Sequence, residues 1–353
     1  MSDQSFRSPI PMSEYDYDLP PELIAQVPLE ERSESRLLVL DRAKTNVLHS
    51  KFAELPDLLD PGDLLVFNDT RVIPARLLGH RESGGKVEFL LLKQHDDGKW
   101  LALAKPSSRL KIGERLQIDR RSGPRYSTAR LVEKLPEGQV IVELDADISD
   151  HLVEFGRMPL PPYIDHQLDD DERYQTVYAR AEGSAAAPTA GLHFTPKVIS
   201  QLQEKDIKTA FVTLHVGLDT FRPVTEDDAR NHAIHREWCS VSADVISSIE
   251  ETRMSGRRIV AVGTTSARTL ETWGQRAKQG NIGPFTDETD IYITPGYEWT
   301  IVDALFTNFH LPKSTLLLMV SALAGRERVL DAYRQAVDER YRFFSFGDAM
   351  IIL

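Results

Sequence analysis

Five short loops of this 353-residue chain gather histidines, hydroxyls and glycines in patterns that suit proton transfer and anion binding. The first, Gly183-Ser-Ala-Ala-Ala-Pro-Thr-Ala-Gly-Leu-His-Phe-Thr195, is built of small residues and ends beside one imidazole. Small side chains let the backbone approach a ligand and present N–H donors to an anion, with His193 there to exchange a proton. The same composition suits a linker feeding a helix at Pro196 with Thr195 as N-cap. In the second, Leu214-His-Val-Gly-Leu-Asp-Thr-Phe221, a strand ends at His215 and Thr220, where α/β sheets bind ligands. A strand-end histidine satisfied by backbone is the plainer reading.

The third, His232-Ala-Ile-His-Arg-Glu237, puts two histidines on one face if it is helical. A third ligand and the metalloprotease spacing are missing, so an acid–base or substrate-holding role for His235 and Glu237 is preferred to zinc. In Val262-Gly-Thr-Thr-Ser-Ala-Arg268 a strand turns into a helix whose first N–H groups, with Arg268 one turn in, suit a carboxylate or phosphate. Ordinary N-capping by Thr264 or Thr265 explains the same residues. Thr307-Asn-Phe-His-Leu-Pro-Lys-Ser-Thr315 crowds Asn308, His310 and Lys313 before a helix that Ser314 or Lys313 would cap.

Such loops need an α/β scaffold. Apolar runs at 37–41, 64–68, 210–216, 258–262, 291–294 and 347–353 read as strands. They alternate with helical patterns at 196–205, 243–254, 266–273, 313–324 and 328–340, which predicts a layered core with mostly parallel strands. Short alternating runs at 87–92, 100–104, 115–118, 126–132 and 140–144, separated by glycines, predict a small antiparallel barrel or sandwich. The expected fold class is therefore α/β: a layered α/β core domain (15–71 and 152–353) with an inserted small antiparallel β-barrel domain (72–151). Residues 1–14, polar with two prolines, are expected to be a flexible tail.

Composition narrows the function. The net charge of −12 argues against a protein that coats nucleic acid. Yet nine basic residues face two acidic ones between Lys99 and Arg130, and that island suits a polyanion-binding face or a solvated strand surface. The longest apolar run, 316–323, is broken by Ser321 and far shorter than the ~20 residues of a membrane span. A polar N-terminus without a secretory pattern and a single cysteine, Cys239, point to the cytoplasm.

Longer segments carry a resemblance. Tyr17-Asp-Leu-Pro-Pro-Glu-Leu-Ile-Ala25, Phe67-Asn-Asp-Thr-Arg-Val-Ile-Pro-Ala-Arg76, Ala187-Pro-Thr-Ala-Gly-Leu-His-Phe-Thr195, Gly263-Thr-Thr-Ser266, Thr307-Asn-Phe-His-Leu-Pro-Lys-Ser-Thr315 and Tyr341-Arg-Phe-Phe-Ser-Phe-Gly-Asp-Ala-Met350 together resemble the S-adenosylmethionine:tRNA ribosyltransferase-isomerases of queuosine biosynthesis. Ala185 and Ala267 stand where valine is expected, and Leu218-Asp219 replaces a small residue and glycine before Thr220. The resemblance implies transfer and isomerisation of the ribosyl part of S-adenosylmethionine onto a tRNA wobble 7-aminomethyl-7-deazaguanine, with adenine and methionine released. It implies no cofactor beyond that co-substrate, no metal, no membrane and a monomer. His193 is then the leading acid or base, with His215, His235 and Glu237 as alternates. Thr189, Gly191, Thr264, Thr265, Arg268, Asn308 and His310 would hold S-adenosylmethionine. Asp69, Arg71, Arg109, Arg120 and Arg121 would meet tRNA or its modified base, with the barrel as the tRNA contact. The rival readings are a non-catalytic tRNA-binding module and an S-adenosylmethionine-dependent tRNA methyltransferase.

Overall fold

The computed structural model describes residues 8–123, 126–166, 168–217 and 223–353. Arg125, Thr220 and the Leu218-Asp219 departure lie outside them, as do residues 1–7 of the expected tail. The strands along the chain are β1 (Arg36–Leu40), β2 (Leu48–Lys51), β3 (Leu64–Asn68), β4 (Thr70–Val72), β5 (Arg76–Arg81) and β6 (Lys86–Gln94). Then come β7 (Trp100–Lys105), β8 (Arg115–Asp119), β9 (Tyr126–Lys134), β10 (Gln139–Leu144), β11 (Gly156–Arg157) and β12 (Ala181–Ser184). The last are β13 (Lys208–Leu214), β14 (Glu237–Val241), β15 (Ile259–Val262), β16 (Phe285–Thr289), β17 (Ala304–Asn308) and β18 (Ala349–Ile352). Helices are α1 (Ala146–Asp150), α2 (Leu152–Phe155), α3 (Pro196–Glu204), α4 (Ala243–Met254), α5 (Thr264–Lys278), α6 (Thr315–Ala324) and α7 (Arg326–Asp338).

The chain divides into a larger unit (Met1–Asp69, Pro162–Arg180 and Pro188–Leu353) and a smaller one (Thr70–Pro161 and Ala181–Ala187). Segment 181–187, expected in the core, falls in the smaller unit because β12 pairs in parallel with β4.

In the larger unit, β3, β15, β17 and β18 are buried along their whole length, as strands covered on both faces must be. Among the described residues the sheet order is β16-β14-β13-β3-β15-β17-β18-β1-β2. Only β13, β3, β15 and β17 form a continuous parallel block. β18 runs against β17, β2 against β1, β14 against β13, and β16 against β14. The expectation of a mostly parallel sheet thus gives way to a mixed one. The strand expected at 291–294 is a loop, and the pairing goes instead to β16, a Phe-Thr-Asp-Glu-Thr edge strand whose polar centre is exposed.

One face of the block packs Leu65, Phe67, Val260, Val262 and Phe306 against Phe52, Phe194 and the apolar side of α3. Phe52, Phe194 and Phe306 meet edge to face at 4.9–5.5 Å, each such pair adding about 0.5–1.5 kcal/mol beyond its buried area. Helices α4 and α5 pack on β3, β13 and β15. Thr195 caps α3 with Pro196 at its first position, and Ser314 caps α6.

Residues 8–14 do not behave as a tail. Ile10 and Met12 are buried, Met12 N–H donates to Asp227 O at 2.9 Å, and Ala229 N–H donates to Ile10 O at 2.9 Å. This pairing spans more than two hundred residues, which local polarity does not report.

In the smaller unit, strands β5-β6-β7-β10-β9-β8 close on themselves through β5–β8, giving a six-stranded antiparallel barrel. Alternation such as that of β10 sends Val140, Val142 and Leu144 inward. Gly79 makes the closing seam: a Cβ there would overlap Gln117 O and stand 3.1 Å from Ile118 Cα. That glycine also interrupts the apolar alternation of β5, so the sequence pattern passes over this strand.

Candidate active site in the larger unit

Parallel strands deliver their carboxyl ends to one edge, the usual ligand position in α/β sheets. Here β3 ends in Asn68-Asp69, β13 leads to His215-Val-Gly217, β15 to Gly263-Thr-Thr265, and β17 to Asn308-Phe-His310. Asn68 ties three of these ends together. Its carbonyl oxygen accepts the Leu214 N–H at 3.0 Å, and its amide donates to Leu214 O at 3.0 Å and to Thr265 Oγ1 at 3.1 Å. Gly263, at φ 87°, turns the chain into α5, a backbone that L side chains resist. It is the N-cap and has no side chain to accept a bond, so neither Thr264 nor Thr265 caps the helix. The first-turn N–H groups keep the polarity that favours an anion.

His193 ends a short 3-10 helix, Thr189–His193, and is 5% exposed. Its Nδ1 lies 2.8 Å from Ser35 Oγ and its Nε2 3.2 Å from Asn308 Nδ2. Thr189 Oγ1 donates to Asn308 Oδ1 at 2.9 Å, which turns the Asn308 amide toward the imidazole. With that amide donating to Nε2, the ring proton sits on Nδ1 and points at Ser35. Burial, reinforced by the charges of Arg32 and Arg342, pulls the His193 pKa down to about 3, so the ring is neutral at physiological pH. Both ring nitrogens are engaged, and the unprotonated Nε2 is open to a new proton once Asn308 is displaced. Gly191 is required by proximity: a Cβ would overlap the Tyr178 hydroxyl and approach Thr176 Cγ2 at 2.8 Å. His310 is equally buried. Its Nε2 meets Thr307 Oγ1 at 2.7 Å, its backbone N–H donates to Tyr333 Oη at 3.0 Å, and burial takes its pKa to about 3.

The other expected groups are held in contacts of their own. Glu237 accepts the Gly217 N–H at 2.8 Å on one oxygen and the Arg268 guanidinium on the other, both residues being buried. Arg268 also donates to His235 O at 3.3 Å, so its terminal nitrogens are already committed. His232 and His235 follow a 3-10 turn at Ala229–Asn231 and share no helix; His235 is exposed and His232 Nδ1 lies 3.0 Å from Glu226. His215 stacks on Trp238 at 4.6 Å, and burial lowers its pKa while Asp69 opposes that shift. Asp69 is buried, accepting from Thr213 Oγ1 at 2.7 Å and from Arg180 Nε at 2.5 Å. Ser35, Asn68 and Thr213 carry no motif of their own. Only Asn68 lies inside one of the longer segments read above.

In the smaller unit, Arg71 lies on β4. Arg120 pairs with Glu154 and packs over Phe155, Arg130 pairs with Glu143 at 2.5 Å, and Lys99 pairs with Asp97. Acids from outside the basic stretch thus offset part of it. Arg109, Lys111 and Arg115 are exposed and form no ion pair among the described residues; Arg121 is exposed too. No helix among the described residues is long and apolar enough to cross a membrane.

A family model described as "Queuosine biosynthesis protein" matches residues 12–352. A Clostridioides difficile (strain 630) protein named S-adenosylmethionine:tRNA ribosyltransferase-isomerase is 49% identical over 342 residues, covering 96% of this chain and 98% of its own length. The crystal structure of S-adenosylmethionine tRNA ribosyltransferase from Thermotoga maritima matches with a TM-score of 0.56 at 40% identity, over 96% of this chain and all of its own. The chain belongs to the queuosine biosynthesis protein family.

Proposed function

We propose that this chain is an S-adenosylmethionine:tRNA ribosyltransferase-isomerase acting in the cytoplasm. It moves the ribosyl part of S-adenosylmethionine onto the aminomethyl group of a 7-deazaguanine at the tRNA wobble position, giving epoxyqueuosine and releasing adenine and methionine. The observation that carries the reading is the near full-length identity to a relative of that name. The site suits the chemistry. A sulfonium acidifies the adjacent ribose carbon, so the reaction needs a base, a proton donor for departing adenine and a pocket that excludes water. The acceptor amine must arrive neutral, since an ammonium has no lone pair. A buried neutral His193 is in the form that accepts a proton, and its burial makes the imidazolium a strong acid toward adenine. Thr264 and Thr265 at the α5 first turn, with Thr189, Gly191, Asn308 and His310, hold the donor. Arg268 holds this edge through Glu237, and exposed barrel cations meet the tRNA backbone.

Product analysis with tRNA carrying the modified base tests the reading. Adenine and methionine appearing in step with a ribosyl mass gain on tRNA supports it. S-adenosylhomocysteine with a methyl gain would make the protein a methyltransferase, and unconsumed donor with bound tRNA would make it a binding module.

A further inference from the structure

A cleft in the larger unit runs beside His193, with Ser35 and His193 lining it, Arg32 and Arg173 flanking it, and Leu29 and Phe346 among its apolar walls. The two guanidiniums are spent on backbone, not on acids. Arg32 donates to Gln175 O at 2.7 Å and Glu172 O at 3.0 Å, and Arg173 to Glu30 O at 3.3 Å. Neither forms an ion pair among the described residues. Burial and the charge of Arg173 both work against the Arg32 cation, ahead of the opposing influence of Asp170 and Glu172. Arg342, whose charge also acts on His193, has its Nη1 buried with no hydrogen-bond partner among the described residues. Like charges held together in a partly desolvated cleft cost stability, and a bound anion offsets that cost.

We infer that this cleft binds an anionic group, a phosphate or a carboxylate, within reach of Ser35 and His193. The site is separate from the α5 first turn. Its two natural sources, a tRNA phosphate or the methionyl carboxylate of the donor, rest on the functional reading above; the anion chemistry does not. An anion here also weakens the cationic field that disfavours protonated His193, so occupancy would make the imidazole a better proton acceptor.

Two variants of the intact chain test this. Arg173→Gln removes one cation, and Leu29→Glu puts a carboxylate at the half-buried rim while leaving every guanidinium contact in place. Sulfate stabilises folds in general by exclusion from their surfaces, so the readout is the difference between proteins. Thermal unfolding in sodium sulfate against sodium chloride at matched ionic strength should show a larger sulfate gain for wild type than for either variant. Equal gains in all three overturn the pocket. Titration of Arg173→Gln with S-adenosylmethionine, its decarboxylated analogue and an anticodon stem-loop RNA then identifies the source. A loss of at least tenfold for S-adenosylmethionine but not for the analogue assigns the carboxylate. An equal loss for the RNA, with a shallower salt dependence, assigns a phosphate. Wild type binding none of the three would sink the functional reading, while the sulfate comparison still decides the pocket.

Discussion

The carboxyl edge of the core sheet and the cationic surface of the barrel solve opposite problems. At the edge, polar groups are buried and almost every one is bound: Asn68 to Leu214 and Thr265, His193 to Ser35 and Asn308, Glu237 to Gly217 and Arg268. On the barrel, Arg109, Lys111 and Arg115 stand in solvent. Buried groups in a low dielectric interact strongly and are expensive to leave unpaired, whereas exposed charges act at long range and are screened by salt. The edge is therefore suited to chemistry and the barrel to attracting a polyanion. Changes at the edge should alter turnover or folding sharply. Changes on the barrel should alter affinity gradually.

The sharpest break in that contrast is Asn308→Asp. A carboxylate would accept from Nε2, move the ring proton off Nδ1 and reverse the roles of Ser35 and Asn308. Turnover should fall by about 10²-fold or more, the scale of a misplaced acid–base group, with S-adenosylmethionine affinity nearly unchanged in single-turnover assays. A few-fold effect would mean that the tautomer does not matter.

Asn68→Ala strips three hydrogen bonds from a buried junction. Urea unfolding should show a loss of about 2–4 kcal/mol, since each unsatisfied buried group costs about 1–3 kcal/mol. A loss under about 0.5 kcal/mol would remove Asn68 as the tie between β3, β13 and α5.

Stability should also depend on acid through the buried histidines. His193 and His310 have pKa values of about 3 when folded, against about 6.5 for an unfolded histidine. Between those values the unfolded chain binds the extra protons. Stability is then highest above pH ~6.5 and falls as the pH drops toward 3. His310→Gln removes one of the protons, so its stability–pH slope in that window should be shallower by up to about 1.4 kcal/mol per pH unit. An unchanged slope would mean that His310 is already protonated in the fold.

The barrel change is the gentlest. Converting Arg109, Lys111 and Arg115 to glutamate should weaken tRNA binding at low salt and lower the salt slope by roughly two to three, whereas Arg120→Gln, already neutralised by Glu154, should change it little. Equal slopes in all proteins would place the nucleic-acid face elsewhere.

The sequence makes the two regions legible to different depths. β3 is read over its full length because an uninterrupted Leu-Leu-Val-Phe run has no other use. β14 and β16 escape because Glu237-Trp-Cys-Ser-Val and Phe285-Thr-Asp-Glu-Thr are polar strands at one end of the sheet, β16 the edge and β14 its neighbour, and no long apolar run marks them. The histidine loops stand out by composition, but their partners do not. Ser35 and His193 are 158 residues apart, and no local period connects them. The basic stretch is visible as a count, yet its neutralisation by Glu143 and Glu154 depends on strand pairing and packing that a count omits.

The central claim is that chemistry occurs beside His193. His193→Ala, given S-adenosylmethionine labelled in the ribose and tRNA bearing the modified base, tests it in a single turnover. Label should reach tRNA with wild type and drop by at least about 10³-fold in the variant, with donor affinity kept within a few-fold. Near-normal transfer by His193→Ala would contradict the account.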